Sequence, residues 1–329
     1  MSGEQSLKDM QPGWKFFADR GGTFTDIVAL DPTGAMHTHK LLSSSTEYSD
    51  PVQAGLQQIL RREEAQGLPG ITELRVGTTI GTNALLEHQI SRVGLLITRG
   101  FRDLARIGYQ SRPDLFALNI KLPAPLFVQS LEVDERMNYQ GKVLEPLSLS
   151  SLNSALHEIV ASDVDCLAVV FLHSVKNPQH ELQALEYLRS RTELPIYLSH
   201  QSSPLTGAVA RADTCLVDAA LGPIIQSYAR DLIQATAAPV YFMGSAGALI
   251  PAEEFSGKDS LLSGPAGGVN AVATLSKKYG APRCVGFDMG GTSTDVFAYE
   301  GILERAETSE VGGYRIQAPH LKIHTIASG

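Results

Sequence analysis

Short apolar runs alternate along this chain with longer segments whose apolar residues recur at helical spacing. Phe16-Phe17-Ala18 and Ile27-Val28-Ala29-Leu30 read as two strands joined by a Gly-Gly turn. Met36 to Leu41 is a third strand, with His37 and His39 together on a solvated face. Asp50-Pro51 supplies an N-cap and a first-turn proline to a helix that carries Val52, Leu56, Ile59 and Leu60 on one side. Leu74-Arg75-Val76 is a short strand, and Val93 to Ile97 and Cys166 to Leu172 are apolar enough to be buried strands. Leu131 to Met137 and Lys142 to Leu144 suggest a hairpin around Gln140-Gly141. Helical patterns at 148–162 and 178–191 and a strand at Ile196-Tyr197-Leu198 complete a strand–helix–strand rhythm, which predicts a mostly parallel sheet covered by helices. Gly207 to Thr236 is largely helical, with a break or kink expected at Pro223. Val240-Tyr241-Phe242-Met243 is expected to be the strand that opens a second lobe.

Two turns stand out from this pattern. Asp19-Arg20-Gly21-Gly22-Thr23-Phe24-Thr25-Asp26 returns near the other end as Asp288-Met289-Gly290-Gly291-Thr292-Ser293-Thr294-Asp295, identical at both Asp, both Gly and both Thr. The separation is far too long for a solenoid repeat. Each copy lies between two strand-like runs, so each reads as a hairpin. A hairpin tip needs Gly-Gly for its turn, but not two threonines and two aspartates. Gly-Gly lets backbone N–H groups approach an anion, and threonine hydroxyls can donate to phosphate oxygens. An ionised aspartate cannot donate, so beside a phosphate it implies a divalent cation, with Mg²⁺ and its retained waters the natural choice. Two such tips facing each other would grip a polyphosphate from both sides.

Composition sets the outer bounds. At ~150 residues per domain, 329 residues suggest about two domains. Hydrophobic residues at 43% and charged residues at 19% describe a globular chain. A net charge of −8 and the absence of any basic run give no support for nucleic-acid or membrane binding. Cys166, Cys215 and Cys284 are far apart in apolar segments, so neither a zinc site nor a disulfide framework follows, and a reducing cytoplasm fits. Met1 to Gly13 is polar and lacks the apolar stretch of a signal peptide, and no run approaches the ~18 apolar residues of a membrane span.

Three further stretches carry candidate chemistry. Gly77-Thr78-Thr79-Ile80-Gly81-Thr82-Asn83 precedes a helical run, and a Gly/Thr loop there can bind an anion or simply cap the helix through Thr82 or Asn83. Thr79 and Asn83 are the candidate ligands. Gly108 to Phe116 is polar, aromatic and aperiodic. Gln110, Arg112 and Asp114 in it could hold a small polar substrate, or could be ordinary loop polarity. Leu262 to Val269 is a glycine loop entering a helix, where Gly264 and Gly267 serve either helix packing or close approach to a nucleotide.

The duplicated hairpins in a two-lobed α/β chain resemble the phosphate loops of the actin, heat-shock chaperone and sugar-kinase superfold, a ribonuclease H-like ATPase fold. The versions DRGGTFTD, GTTIGTNALLE, LLSGPAGGV and FDMGGTSTD are similar to those of the hydantoinase A / 5-oxoprolinase family. KLLS at 40–43, QSRPDLF at 110–116, VDER at 133–136, and HS followed by HE within 173–181 resemble its oxoprolinase branch. The resemblance covers the chain from about Lys15 onward. It implies a polar tail at 1–14, a first lobe with bridging helices over 15–236, and the start of a second lobe over 237–329 that continues in a longer enzyme. It also implies ATP-driven hydrolytic opening of 5-oxo-L-proline to L-glutamate, with Mg²⁺ and commonly K⁺, in a cytoplasmic homo-oligomer completed by a C-terminal remainder or a hydantoinase B-like subunit. N-methylhydantoin hydrolysis, ketone carboxylation and a non-catalytic nucleotide-binding module are the alternatives on the same lobes. Carried over to this sequence, Asp19 and Asp288 would sit at the metal or its waters, and Asp26 and Asp295 would order the loops or a water. Gly21, Gly22, Thr23, Thr25, Gly290, Gly291, Thr292 and Thr294 would hold phosphates. The chain departs from the family pattern at Ala246-Gly247-Ala248, Arg211-Ala212 and Asp218-Ala219-Ala220, which bears on substrate geometry.

Overall fold

A computed structural model describes residues 13–63, 70–110, 116, 118–119, 123–289 and 293–327. The fold is mixed α/β, with the first hairpin inside a six-stranded sheet. The strand order there is Leu249–Pro251, Val240–Met243, Ile71–Thr78, Trp14–Arg20, Phe24–Leu30, Met36–Leu42. Period-two alternation along Trp14–Arg20 turns Trp14, Phe16 and Ala18 inward. They pack with Ile27, Leu74 and Val76 against Val52, Leu56 and Ile59 of the helix Pro51–Arg62. That helix starts where the sequence put it: the Asp50 carboxylate accepts the Gln53 N–H at 2.9 Å. The expected solvated face of Met36–Leu42 is half-buried instead. His37 lies between Asp31 and Glu63, each 3.2 Å away, and against the Trp14 ring.

Strand Val240–Met243 runs parallel to Ile71–Thr78, with Phe242 level with Val76. It therefore belongs to the sheet of the first hairpin, not to the second hairpin with which the sequence grouped it. Four apolar residues specify a strand but not its partner. The partner is set by the preceding long helix, which returns the chain beside Ile71–Thr78, where the Leu74 N–H bonds the Pro239 carbonyl at 3.0 Å.

A second sheet of four parallel strands has the order Ile196–Leu198, Cys166–Val170, Val93–Thr98, Phe127–Val133. Helices Leu149–Val160 and Gln179–Arg189 cover one face and the long helix Ala208–Thr236 the other. The expected hairpin near Gln140 is smaller than predicted: Phe127–Val133 joins the parallel sheet, and only Arg136–Met137 pairs with Val143–Glu145. The long helix touches both large sheets, through Cys215, Leu216 and Ala219 on one and Ile225, Tyr228 and Leu232 on the other.

Pro223 does not break that helix. It has no N–H to give to the Ala219 carbonyl, so that oxygen needs another donor. The Cys166 thiol supplies one at 3.2 Å, and the next carbonyl, of Ala220, accepts the Ser91 N–H at 2.9 Å.

The second hairpin, Cys284–Met289 and Ser293–Tyr299, pairs with His324–Ala327 and packs under the helix Ser263–Tyr279 through Ala266, Val269 and Phe297. Gly286 makes room for the Phe297 ring, which would lie 2.2 Å from any Cβ there. Between 300 and 323 the chain leaves this hairpin and buries Val311, Tyr314 and Ile316 against the long helix and the parallel sheet. Among the described residues no helix is long and apolar enough to cross a membrane.

Candidate functional site

The two hairpins match in register as well as in sequence. Asp19 lies opposite Asp26 and Arg20 opposite Thr25; Asp288 lies opposite Asp295 and Met289 opposite Thr294. The match extends to a third strand in each copy, where Thr25 faces Leu41 and Thr294 faces Ile326.

The hairpins converge at Asp19 and Asp288. The Asp19 carboxyl is walled by protein although one side is open. Burial, then the charge of Asp288, then that of Asp26 push its pKa up from 3.8 to about 6, against the opposing pull of Lys40. Two carboxylates that repel each other are a donor set suited to a divalent cation. Among the described residues there is no group of three or more His, Cys, Asp or Glu that could hold a metal. Asp19 and Asp288 would therefore supply two ligands and leave the remaining positions to water or phosphate oxygens, the habit of Mg²⁺. Gly77 lies beneath Asp19, whose Oδ1 would be 3.3 Å from a Cβ at that position.

The tip of the first hairpin is held from behind. Ser43 donates its backbone N–H to the Thr23 carbonyl at 2.9 Å and its hydroxyl to the Gly21 carbonyl at 2.6 Å. Thr25 is fully buried, with its hydroxyl 2.9 Å from Ser43 Oγ. Thr25 thus braces the tip and does not present its hydroxyl to a ligand. Gly21, Gly22 and Thr23 form the open side. Asp26 is tied up by Lys40, which bonds both its oxygens at 2.8 and 2.9 Å. In the second hairpin Thr294 is likewise buried, and Asp295 lies on the strand opposite Asp288. Gly290, Gly291 and Thr292 lie outside the described residues.

The stretch after Ile71–Thr78 joins this site. The Thr79 N–H and hydroxyl both donate to the Arg20 carbonyl, at 3.1 and 3.3 Å. Asn83 Nδ2 donates to the Thr79 hydroxyl at 3.3 Å and lies 3.5 Å from the place of a Cβ on Gly22. The start of helix Ser263–Tyr279 closes the third side. Ser263 donates to the Thr78 carbonyl at 2.5 Å, and the Leu262 N–H bonds the Thr82 hydroxyl at 3.2 Å. The two glycines differ in their surroundings. Gly264 packs on the Thr79 methyl, 3.2 Å from a would-be Cβ, whereas Gly267 borders open space. A Cβ at Gly268 would stand 3.8 Å from Asp288 Oδ2. Among the described residues no side chain caps this helix, whose first turn carries N–H groups at Ser263 and Gly264 but none at Pro265.

Gln110 is described, in left-handed backbone with φ 55°, after Tyr109, whose ring lies under Arg315. Arg112 and Asp114 fall outside the described residues. Two other motif stretches meet in the interior. Glu135 accepts from Thr98 and from His180, and Glu181 accepts from Phe171 N–H, Ser199 and His200. This network clamps the loops at the carboxyl ends of the parallel strands. The sequence reading missed Lys40 and Ser43 as parts of the site. The signal was the KLLS run, which carries both.

Comparison with known proteins places the chain among relatives of one family. Residues 15–192 match the model of the hydantoinase/oxoprolinase N-terminal region, and residues 211–329 match that of hydantoinase/oxoprolinase. The chain is 37% identical to 5-oxoprolinase 1 of Arabidopsis thaliana over 96% of its own length, and 37% identical to 5-oxoprolinase of Dictyostelium discoideum over 98%. It spans 28% and 30% of those proteins. The crystal structure of ATP-dependent caprolactamase from Pseudomonas jessenii superposes with TM-score 0.84 at 26% identity, covering 96% of this chain and 48% of that one. A nucleotide-free acetone carboxylase superposes with TM-score 0.79 at 20% identity, covering 96% and 48%, which establishes shared fold alone.

Proposed function

Because the chain belongs to the hydantoinase/oxoprolinase family, we propose that it forms the phosphate-gripping part of an ATP-dependent enzyme that opens 5-oxo-L-proline to L-glutamate. The observation that carries this reading is the convergence of Asp19 and Asp288 from two register-matched hairpins. A pair of hairpins in a mixed α/β chain also supports an actin-like two-lobed ATPase, with the first hairpin in one lobe and the second hairpin in the other.

In this reading Asp19 and Asp288 would hold Mg²⁺ or its waters, and the ion would supply charge neutralisation at the phosphoryl group. The Gly21–Thr23 tip, Thr79, Asn83 and the start of the Ser263 helix surround the phosphates. Gly290, Gly291 and Thr292 are assigned the same task from the second hairpin's sequence, with Gly267 beside the nucleotide. Positioning and charge neutralisation are what phosphoryl transfer asks of a protein. The γ-phosphoryl group passes to the lactam carbonyl oxygen and the bond to ADP breaks. Water then adds to that carbon, the ring C–N bond breaks with nitrogen taking a proton, and an acyl phosphate is left; a second water attacks its carbonyl carbon, and phosphate leaves with the original lactam oxygen. Gln110, Arg112 and Asp114 are proposed to hold the substrate, with the Arg112 guanidinium on its carboxylate. The adenosine pocket is assigned to a C-terminal remainder or partner subunit, in keeping with the greater length of the relatives. K⁺ has no assigned ligand here.

A second reading keeps the lobes and changes the substrate, since the caprolactamase and acetone carboxylase likenesses reach the same fold. The test is phosphate release from Mg-ATP by the complete enzyme with 5-oxo-L-proline, a hydantoin, caprolactam or acetone. Release matched by glutamate with 5-oxo-L-proline alone is expected. A response only to another substrate would reassign the chemistry, and nucleotide binding without any substrate response would point to a binding module.

A further inference from the structure

Ser43 stands outside both the duplicated motif and the site residues assigned from it, yet it holds two carbonyls of the first tip. A peptide unit is planar and trans, so the Gly22 N–H points opposite to the Gly21 carbonyl. With that carbonyl turned back onto Ser43 Oγ at 2.6 Å, the Gly22 N–H is turned away from Ser43, toward the side of the tip on which Gly22 and Thr23 are exposed. The Thr23 carbonyl, held by the Ser43 N–H at 2.9 Å, fixes the far side of the turn in the same way. Among the described residues no hydrogen-bond partner takes the N–H of Gly22 or Thr23. Without a side chain, Gly22 has little of its own to resist a peptide flip, which would point a carbonyl at the phosphate instead.

Thr25 completes the device. It is fully buried, and its hydroxyl lies 2.9 Å from Ser43 Oγ, which fixes the rotamer of the serine. The third strands show the same arrangement in both copies. His39-Lys40-Leu41-Leu42 and His324-Thr325-Ile326-Ala327 occupy equivalent register positions, and the next residue in each is a serine, Ser43 and Ser328. Ser328 itself lies outside the described residues.

We propose that Ser43, braced by Thr25, is a positioning residue that locks the Gly21–Gly22 peptide so that the Gly22 N–H faces a bound phosphate. This rests on the phosphate-site reading above. The test uses Mg-tripolyphosphate as probe, with binding followed by calorimetry and the Gly22 amide followed by NMR in glycine-labelled protein. Wild-type protein is expected to bind and to shift the Gly22 amide. Ser43→Ala is expected to bind at least tenfold more weakly, with the Gly22 amide shift lost and the melting temperature little changed. Thr25→Val should give a smaller loss of the same kind, and Ser43→Thr, which keeps the hydroxyl, should restore most of the binding. If wild type binds and shifts the Gly22 amide but Ser43→Ala does so equally, the positioning role is overturned and the phosphate site survives. If wild type binds no tripolyphosphate, the phosphate site falls and the positioning role with it.

Discussion

Asp19 and Asp288 each occupy the next-to-last position of a strand, Trp14–Arg20 and Cys284–Met289, and the charge of Asp288 acts on the Asp19 carboxyl across the gap between hairpins. Their repulsion opposes folding and favours a cation, so removing one charge should have opposite effects on stability and on function. Asp19→Asn or Asp288→Asn should raise the melting temperature in the absence of divalent ions. Either should also lower Mg²⁺-dependent phosphoryl transfer by roughly a hundredfold or more, the scale of losing one charge-stabilising group. Thermal melts with and without Mg²⁺, read beside phosphate release, check both signs together. A variant that is both less stable without metal and fully active would contradict the arrangement.

Cys166 is a structural donor. Burial, and then the charge of Asp165, push its thiol up to about 12, so it stays protonated and donates an S–H hydrogen bond to the carbonyl that Pro223 leaves free. Native protein at pH 8 should take up iodoacetamide at half-buried Cys284 and leave Cys166 and Cys215 unlabelled until it unfolds. Cys166→Ala should cost about 1–3 kcal/mol in urea unfolding, the usual penalty for orphaning a buried carbonyl.

Gly81 illustrates a glycine required by packing. A Cβ there would stand 2.0 Å from Ser260 Oγ, which is fixed by its 2.6 Å bond to the Gly257 carbonyl. Gly81→Ala gains up to ~1 kcal/mol of helix propensity and loses about 1–3 kcal/mol to overpacking, so net destabilisation is expected. Adding Ser260→Gly should recover most of the loss. An additive double mutant would show that the contact is not the cause.

Asp213 sets a pH dependence away from the hairpins. Burial pushes its carboxyl from 3.8 to about 6, and Arg315, 3.8 Å away, opposes this without winning. A group whose folded pKa is raised above its unfolded value binds more protons when folded, so its contribution falls as pH rises from about 4 through 6. At 1.36 kcal/mol per tenfold change in proton affinity, keeping it ionised at neutral pH costs on the order of 2–3 kcal/mol. Asp213→Asn should therefore unfold at higher urea than wild type at pH 7.5, with the advantage shrinking by pH 5. A constant difference across that range would assign the burial cost elsewhere.

The hairpins were legible because their chemistry is local. A repeated Asp-x-Gly-Gly-Thr between apolar runs specifies turn, strands and the pairing of Asp19 with Asp26 without reference to the rest of the chain. What was not legible depends on residues far apart in sequence. Val240–Met243 shows its strand character in four residues, but its place beside Ile71–Thr78 is decided by a 29-residue helix. Pro223 signals a break only until Cys166 and Ser91 are seen to satisfy the freed carbonyls. Thr25 looks like a phosphate ligand in the motif, and period-two alternation buries it against Ser43 instead.

The most direct measurement follows the ring carbonyl oxygen of 5-oxo-L-proline. The complete enzyme is given Mg-ATP and substrate labelled with heavy oxygen at that position, and the phosphate and glutamate are analysed by mass spectrometry. Phosphoryl transfer to the lactam oxygen predicts one labelled oxygen in each phosphate, with phosphate and glutamate formed one for one and neither formed by Asp288→Asn. Unlabelled phosphate, or phosphate released without glutamate, would contradict activation of the lactam between the two hairpins.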